Sequence, residues 1–111
     1  MMTKKRSLEK VQPLLEEFKR ELRRIYGSRL KRLIVYGSYA RGEASEGSDL
    51  DLLVVLDRVD DPLAERERLS DVILDLSLRY GIVVSVLVAS EASLERPSPL
   101  FLNLKREGVT V

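Results

Sequence analysis

The segment Asp49 to Leu56, Asp-Leu-Asp-Leu-Leu-Val-Val-Leu, constrains the fold more than any other stretch of the chain. From Leu52 to Leu56 every position is apolar, so a strand built from it has no face to give to water. Such a strand must be covered on both sides. In a chain of 111 residues, with room for a single core, helices are the natural cover. The run is also far too short to cross a bilayer. The expectation is one α/β (α+β) domain over residues 1–111, a small mixed β-sheet flanked by helices.

The remaining sequence supplies the layers. Ser7 to Tyr26 predicts a helix, because Leu8, Val11, Leu15, Phe18, Leu22 and Ile25 return every three or four residues and Gly27 follows as a stop. Pro13 falls inside that pattern and predicts either a kink or a place in the first turn. Arg32 to Tyr36 is a β-branched strand running into Gly37, with a short helix or loop behind it. Asp49 to Leu56 is the second strand. Asp61-Pro62 then marks a helix start, Asp as cap and Pro at the first position. That single helix turns Leu69, Val72, Ile73, Leu76 and Tyr80 inward and stops at Gly81. Ile82 to Val88 is the third strand. Ser90 and Ser98-Pro99 open two short helices, the second closing at Gly108, and Val109 to Val111 predicts an edge strand.

The chain contains neither Cys nor His. Disulfides, thiolate or imidazole zinc sites, serine–histidine triads and the commonest general base are all excluded. What remains is carboxylates, hydroxyls, Lys, Arg, Tyr and a hard cation such as Mg²⁺, which prefers oxygen ligands. Asp49 and Asp51, two apart on a strand, share a face, while Leu50 and Leu52 turn into the core. Adjacent carboxylates repel, and a cation between them relieves the repulsion. A lone Asp-x-Asp is more often a solvated strand end. Here Gly37-Ser38 lies just upstream, offering main-chain N–H groups that a phosphate can approach and a hydroxyl donor, with Arg41 in reach of the same anion. Taken together, these residues describe a nucleotide–metal site.

Residues 37–54, Gly-Ser-Tyr-Ala-Arg-Gly-Glu-Ala-Ser-Glu-Gly-Ser-Asp-Leu-Asp-Leu-Leu-Val, resemble the signature of the DNA polymerase β-like nucleotidyltransferase superfamily in its minimal (MNT) branch. Gly37, Ser38, Asp49 and Asp51 match that signature residue by residue, and Ala40 to Gly42 matches the minimal branch. The resemblance implies the polymerase β-like fold and Asp49 and Asp51 as catalytic ligands of two Mg²⁺ ions. It implies that Gly37 and Ser38 grip the triphosphate of an NTP, with Arg41 beside them. The implied reaction moves a nucleoside monophosphate, AMP from ATP, to a hydroxyl of a partner macromolecule. A HEPN-domain protein is the implied partner, with this chain as its antitoxin.

One element of the pattern is missing. The superfamily supplies a third carboxylate from a later strand, and the matching position here is Ser85, a weak ligand and no base at neutral pH. A strand serine is more often bonded within its sheet. Asp71 and Asp75 share a helix face with Arg79 and read as a solvated face; Glu43, Glu46 and Glu91 are no stronger substitutes. The alternative reading is therefore a catalytically impaired nucleotide- and protein-binding antitoxin that acts by forming a complex.

Charge is uneven along the chain. Residues 1–32 carry eleven Lys or Arg against four acids, and the remainder eight against fourteen. A solvated helix face explains this most simply; a contact surface for an acidic partner or a nucleic acid is the sharper reading. Four Tyr and two Phe make a poor stacking platform, which disfavours single-stranded nucleic acid. The basic start has no apolar segment behind it, so no secretory signal or membrane partner is expected, and the expected location is cytoplasmic. Acceptor recognition falls to a partner or to a homo-oligomer.

Overall fold

The computed structural model describes residues 8–111, so Ser7, the expected helix start, and the basic residues before it lie outside the described residues. Helix α1 (Leu8–Tyr26) buries Val11, Leu14, Leu15, Phe18, Leu22 and Tyr26; Ile25 is only half-buried. Pro13 sits inside the helix with its side chain exposed, so its ring faces water rather than the core. A single 3₁₀ turn (Gly27–Arg29) leads into β1 (Leu30–Tyr36), two residues longer at its start than predicted. No regular helix follows. Residues 37–42 form a tight turn in which Arg41 N–H donates to the Gly37 carbonyl at 3.2 Å and Glu43 N–H to that of Ser38 at 2.9 Å.

Strand β2 (Leu50–Leu56) begins one residue later than expected, leaving Asp49 just outside it. The cap at Asp61 forms as read, its carboxylate accepting from the N–H groups of Leu63 and Ala64. The single helix expected after it is two, α2 (Pro62–Arg68) and α3 (Ser70–Tyr80), broken at Leu69. The apolar period begins only at Leu69. Pro62–Arg68 buries no residue, so nothing holds it on the axis of α3. Strand β3 (Val84–Ser90) is shifted two residues beyond the expected Ile82 to Val88. Gly81 takes the left-handed conformation at the end of α3, and Ile82 N–H bonds back to the Ser77 carbonyl at 3.2 Å, which commits Ile82 to the helix cap. Ser90 caps α4 (Glu91–Leu94), α5 spans Pro99–Glu107, and β4 (Val109–Thr110) is the expected edge strand.

The sheet order is β3-β2-β1-β4. β1 runs antiparallel to β2 and to β4, while β2 and β3 are parallel and joined by the α2–α3 crossover. Both faces of β2 are covered, as its sequence required. On one face Leu33, Val35, Leu52, Val54 and Val86 pack with α1 and α3. On the other, Ile34, Leu53, Val55 and Ala89 meet Leu94 of α4 and Leu104 of α5. The second cover is thin, and it is the one that borders the carboxylates. Among the described residues no helix is long and apolar enough to cross a membrane.

Candidate active site

Strand pairing places Asp51 between two neighbours, Tyr36 on β1 and Ser85 on β3. Leu50 and Leu52 are completely buried on the α1 face, so the intervening Asp51 side chain stands on the face shared with Leu53 and Val55. Gly37 closes the site from the β1 end. It holds a φ of +73°, and a Cβ built there would collide with the Asp51 carboxylate. Glycine is required twice over, for the conformation and for the close approach.

Asp51 is partly buried, and that burial pushes its carboxyl above the usual range. Asp49 nearby pushes it further in the same direction, while Arg41 pulls it back. Asp49 itself is exposed. The Tyr36 hydroxyl is raised as well, by burial first and the Asp51 charge second. Among the described residues no hydrogen-bond donor reaches the Asp51 side chain, so two carboxylates share a strand end with little to neutralise them. This donor set suits a hard divalent cation. It falls short of a complete protein cage: among the described residues no group of three or more Asp, Glu, His or Cys could hold a metal ion.

The other residues singled out from sequence fall in different places. Ser38 is half-buried in the turn. The Arg41 side chain, 40% exposed, holds Glu43 through Nε at 3.2 Å and Glu107 through Nη1 at 3.3 Å. Its charge is therefore already engaged, although close enough to act on Asp51. Ser85 lies directly beside Asp51, half-buried, on the strand where the third carboxylate was sought. Among the described residues no other acid replaces it. Asp71 and Asp75 line a charged cavity of about 270 Å³ between α1 and α3, on the other side of the sheet, where Asp75 pairs with Arg79 at 3.0 Å. Glu43 is tied to Arg41, Glu46 is exposed in the turn region, and Glu91 begins α4.

Three residues at or near the site were not read from the sequence. Tyr36 was legible in principle, since it ends β1 immediately before Gly37. Glu107 arrives from α5 by long-range packing and carries no local signal. Tyr39, inside the turn, is only 1% exposed, and its hydroxyl has no hydrogen-bond partner among the described residues. It anchors the turn to the α1 side of the core.

The profile of the nucleotidyltransferase domain family matches residues 15–105. The chain belongs to that family. This nucleotidyltransferase is 37% identical over 91 residues to the protein adenylyltransferase MntA of Thermococcus cleftensis, covering 73% of this chain and 90% of that one. Its fold matches a chain from a crystal structure of a toxin–antitoxin with AMP-PNP, with a TM-score of 0.58 at 21% identity, over 86% of this chain and 70% of the other. It also matches a chain from the complex of the tri-AMPylated Shewanella oneidensis HEPN toxin with MNT antitoxin, with a TM-score of 0.53 at 19% identity, over 89% and 70% of the two chains.

Proposed function

We propose that this nucleotidyltransferase moves AMP from ATP to a hydroxyl of a HEPN-type partner protein, as an antitoxin acting on its toxin. The observation that carries the reading is the Asp51 carboxylate packed onto Gly37 with Asp49 beside it, a cation-seeking pair set against a phosphate-accessible turn. The relatives lend support, since one is named a protein adenylyltransferase and another structure holds an AMPylated HEPN toxin. ATP as donor fits a cytoplasmic setting.

Asp49 and Asp51 would hold Mg²⁺, which neutralises phosphate charge and favours in-line displacement. The Gly37 turn and the Ser38 hydroxyl hold the triphosphate, and Arg41 exchanges Glu43 and Glu107 for a phosphate oxygen. The acceptor hydroxyl oxygen forms a bond to the α-phosphorus and releases its proton to solvent, as the bond from that phosphorus to its bridging oxygen breaks and pyrophosphate leaves. Ser85 beside Asp51 can donate a hydrogen bond to the acceptor side but cannot take its proton at neutral pH.

That last point supports a second reading, an antitoxin that binds nucleotide and partner without efficient transfer. ATP labelled at the α-phosphate, Mg²⁺ and a purified HEPN partner separate the two, with Asp51→Asn and Ser85→Asp beside the natural protein. The first reading expects label on the partner, its loss in Asp51→Asn, and faster Mg²⁺-dependent transfer in Ser85→Asp. Complex formation without label, in a protein that still binds ATP, would establish the second.

A further inference from the structure

Arg41 lies close enough to Asp51 to pull its carboxyl downward, yet its hydrogen bonds go elsewhere. Nε donates to Glu43 at 3.2 Å and Nη1 to Glu107 at 3.3 Å. The two acceptors differ in origin. Glu43 follows Arg41 by two residues, at the end of the same turn. Glu107 is the last residue of α5, 66 positions along the chain, and stands there only because of the fold.

Main-chain contacts on both sides of Glu107 fix its place. Gly108 N–H donates to the Leu104 carbonyl at 2.8 Å, and a Cβ added at Gly108 would strike that carbonyl and Ile34 of β1. Val109 then pairs with Val35, two residues before Gly37. The rest of α5 is lightly held. Leu104 is its one buried residue, and Phe101 is half-buried. Among the described residues two ion pairs tie α5 to the rest of the domain, Lys105 with Glu95 at 3.7 Å and Glu107 with Arg41. A carboxylate and a phosphate oxygen bind a guanidinium through the same fork of N–H groups. An arriving triphosphate therefore meets Glu107 as a competitor for Arg41.

We propose that Glu107 sets the affinity of the nucleotide site, as a carboxylate that occupies Arg41 until the triphosphate displaces it; this role rests on Arg41 being a phosphate ligand, as proposed above. Coupling of this kind is reciprocal. The hold of α5 on Arg41 weakens nucleotide binding, and nucleotide binding loosens the end of α5 by the same factor. Because Leu104 of α5 packs on the sheet face where Asp51 stands, occupancy of the site is felt by the helix that borders it.

The test is calorimetric binding of α,β-methylene ATP, which resists transfer, to the full chain with Mg²⁺. Glu107→Gln is expected to tighten binding by about threefold, because the exchange no longer has to break an ion pair. Glu95→Gln is the matched control: it removes the same charge and the other α5 ion pair but leaves Arg41 engaged, so affinity should stay unchanged. Both pairs are exposed, and neither substitution should move Tm appreciably. In the natural protein the nucleotide should also speed amide exchange between Leu104 and Gly108 by a similar factor, an effect absent from Glu107→Gln. Unchanged or weaker binding in Glu107→Gln would overturn the proposal, weaker binding meaning that the freed Arg41 turns to Asp51. Equal tightening in Glu95→Gln would overturn it by reducing the effect to general charge, and so would an α5 whose exchange ignores the nucleotide. If no variant binds the nucleotide, the proposed function falls as well. If the natural protein binds it and Glu107→Gln gains nothing, only the role of Glu107 is lost.

Discussion

Glu17 and Asp51 are both half-buried carboxylates, on opposite sides of the same sheet, and their surroundings could hardly differ more. Glu17 on α1 accepts from the Arg79 guanidinium and from the Tyr80 hydroxyl of α3, the latter at 2.6 Å. These donors hold its carboxyl down at about 2. Asp51 receives no such donor among the described residues, and burial and Asp49 push it upward. A carboxylate that is fully answered fastens two helices together. One left with another negative charge for company carries a repulsion that a bound cation would relieve.

Asp51→Asn should produce the largest change. On the proposed function, where Asp51 would hold the metal, nucleotidyl transfer is expected to fall by more than about a hundredfold. Stability should move the other way, with Tm up on the order of a few degrees as the repulsion with Asp49 disappears. A calorimetric scan that shows Tm falling instead would mean that Asp51 is a structural partner of the Glu17 kind.

Gly37→Ala attacks the same site through the backbone. A left-handed alanine costs about 1–2 kcal/mol, and the collision with the Asp51 carboxylate adds to that. Gly27→Ala is the matched control: its φ is +56° and nothing lies within 4 Å of a Cβ there. Denaturant melts should rank Gly37→Ala below Gly27→Ala, and Asp51→Gly in the Gly37→Ala background should recover part of the difference. Equal losses for the two glycines would remove the close approach from the account.

Glu17→Gln should be the mildest. Transfer is expected to persist, with a small loss of stability at neutral pH. The sign with pH follows from its depressed carboxyl. The contribution of Glu17 is complete above the ordinary value of 4.5 and fades as pH falls toward about 2. Asp51 runs oppositely, because protonation relieves it and acid takes its penalty away. Tm measured against pH should show the acid loss shrinking in Glu17→Gln and the acid relief vanishing in Asp51→Asn.

Much of the candidate site's geometry was legible because it is local. Gly37, Ser38, Asp49 and Asp51 lie within fifteen residues, and the two-residue period alone buried Leu50 and Leu52. Local signals also fixed the caps at Asp61, Ser90 and Gly81. What they could not give was competition between neighbours. Ile82 has the side chain of a strand residue, yet the cap at Gly81 claims its N–H. Pro62 to Arg68 has helical residues but no apolar stripe, so it leaves the axis of α3 at Leu69. The engagement of Arg41 by Glu107 depends on where α5 settles, which no spacing in the chain records.

The pairing of Gly37 with Asp51 also bears on how the domain assembles. Both belong to one antiparallel hairpin, closed by the short segment between β1 and β2. Ser85 reaches Asp51 only after the chain has travelled through α2 and α3 to set β3 parallel to β2. Closing the nearer loop costs less chain entropy, and the contact is available earlier as the polypeptide emerges from the ribosome. The Gly37–Asp51 half of the candidate site is thereby a product of local folding, whereas the Ser85 half waits for the complete sheet.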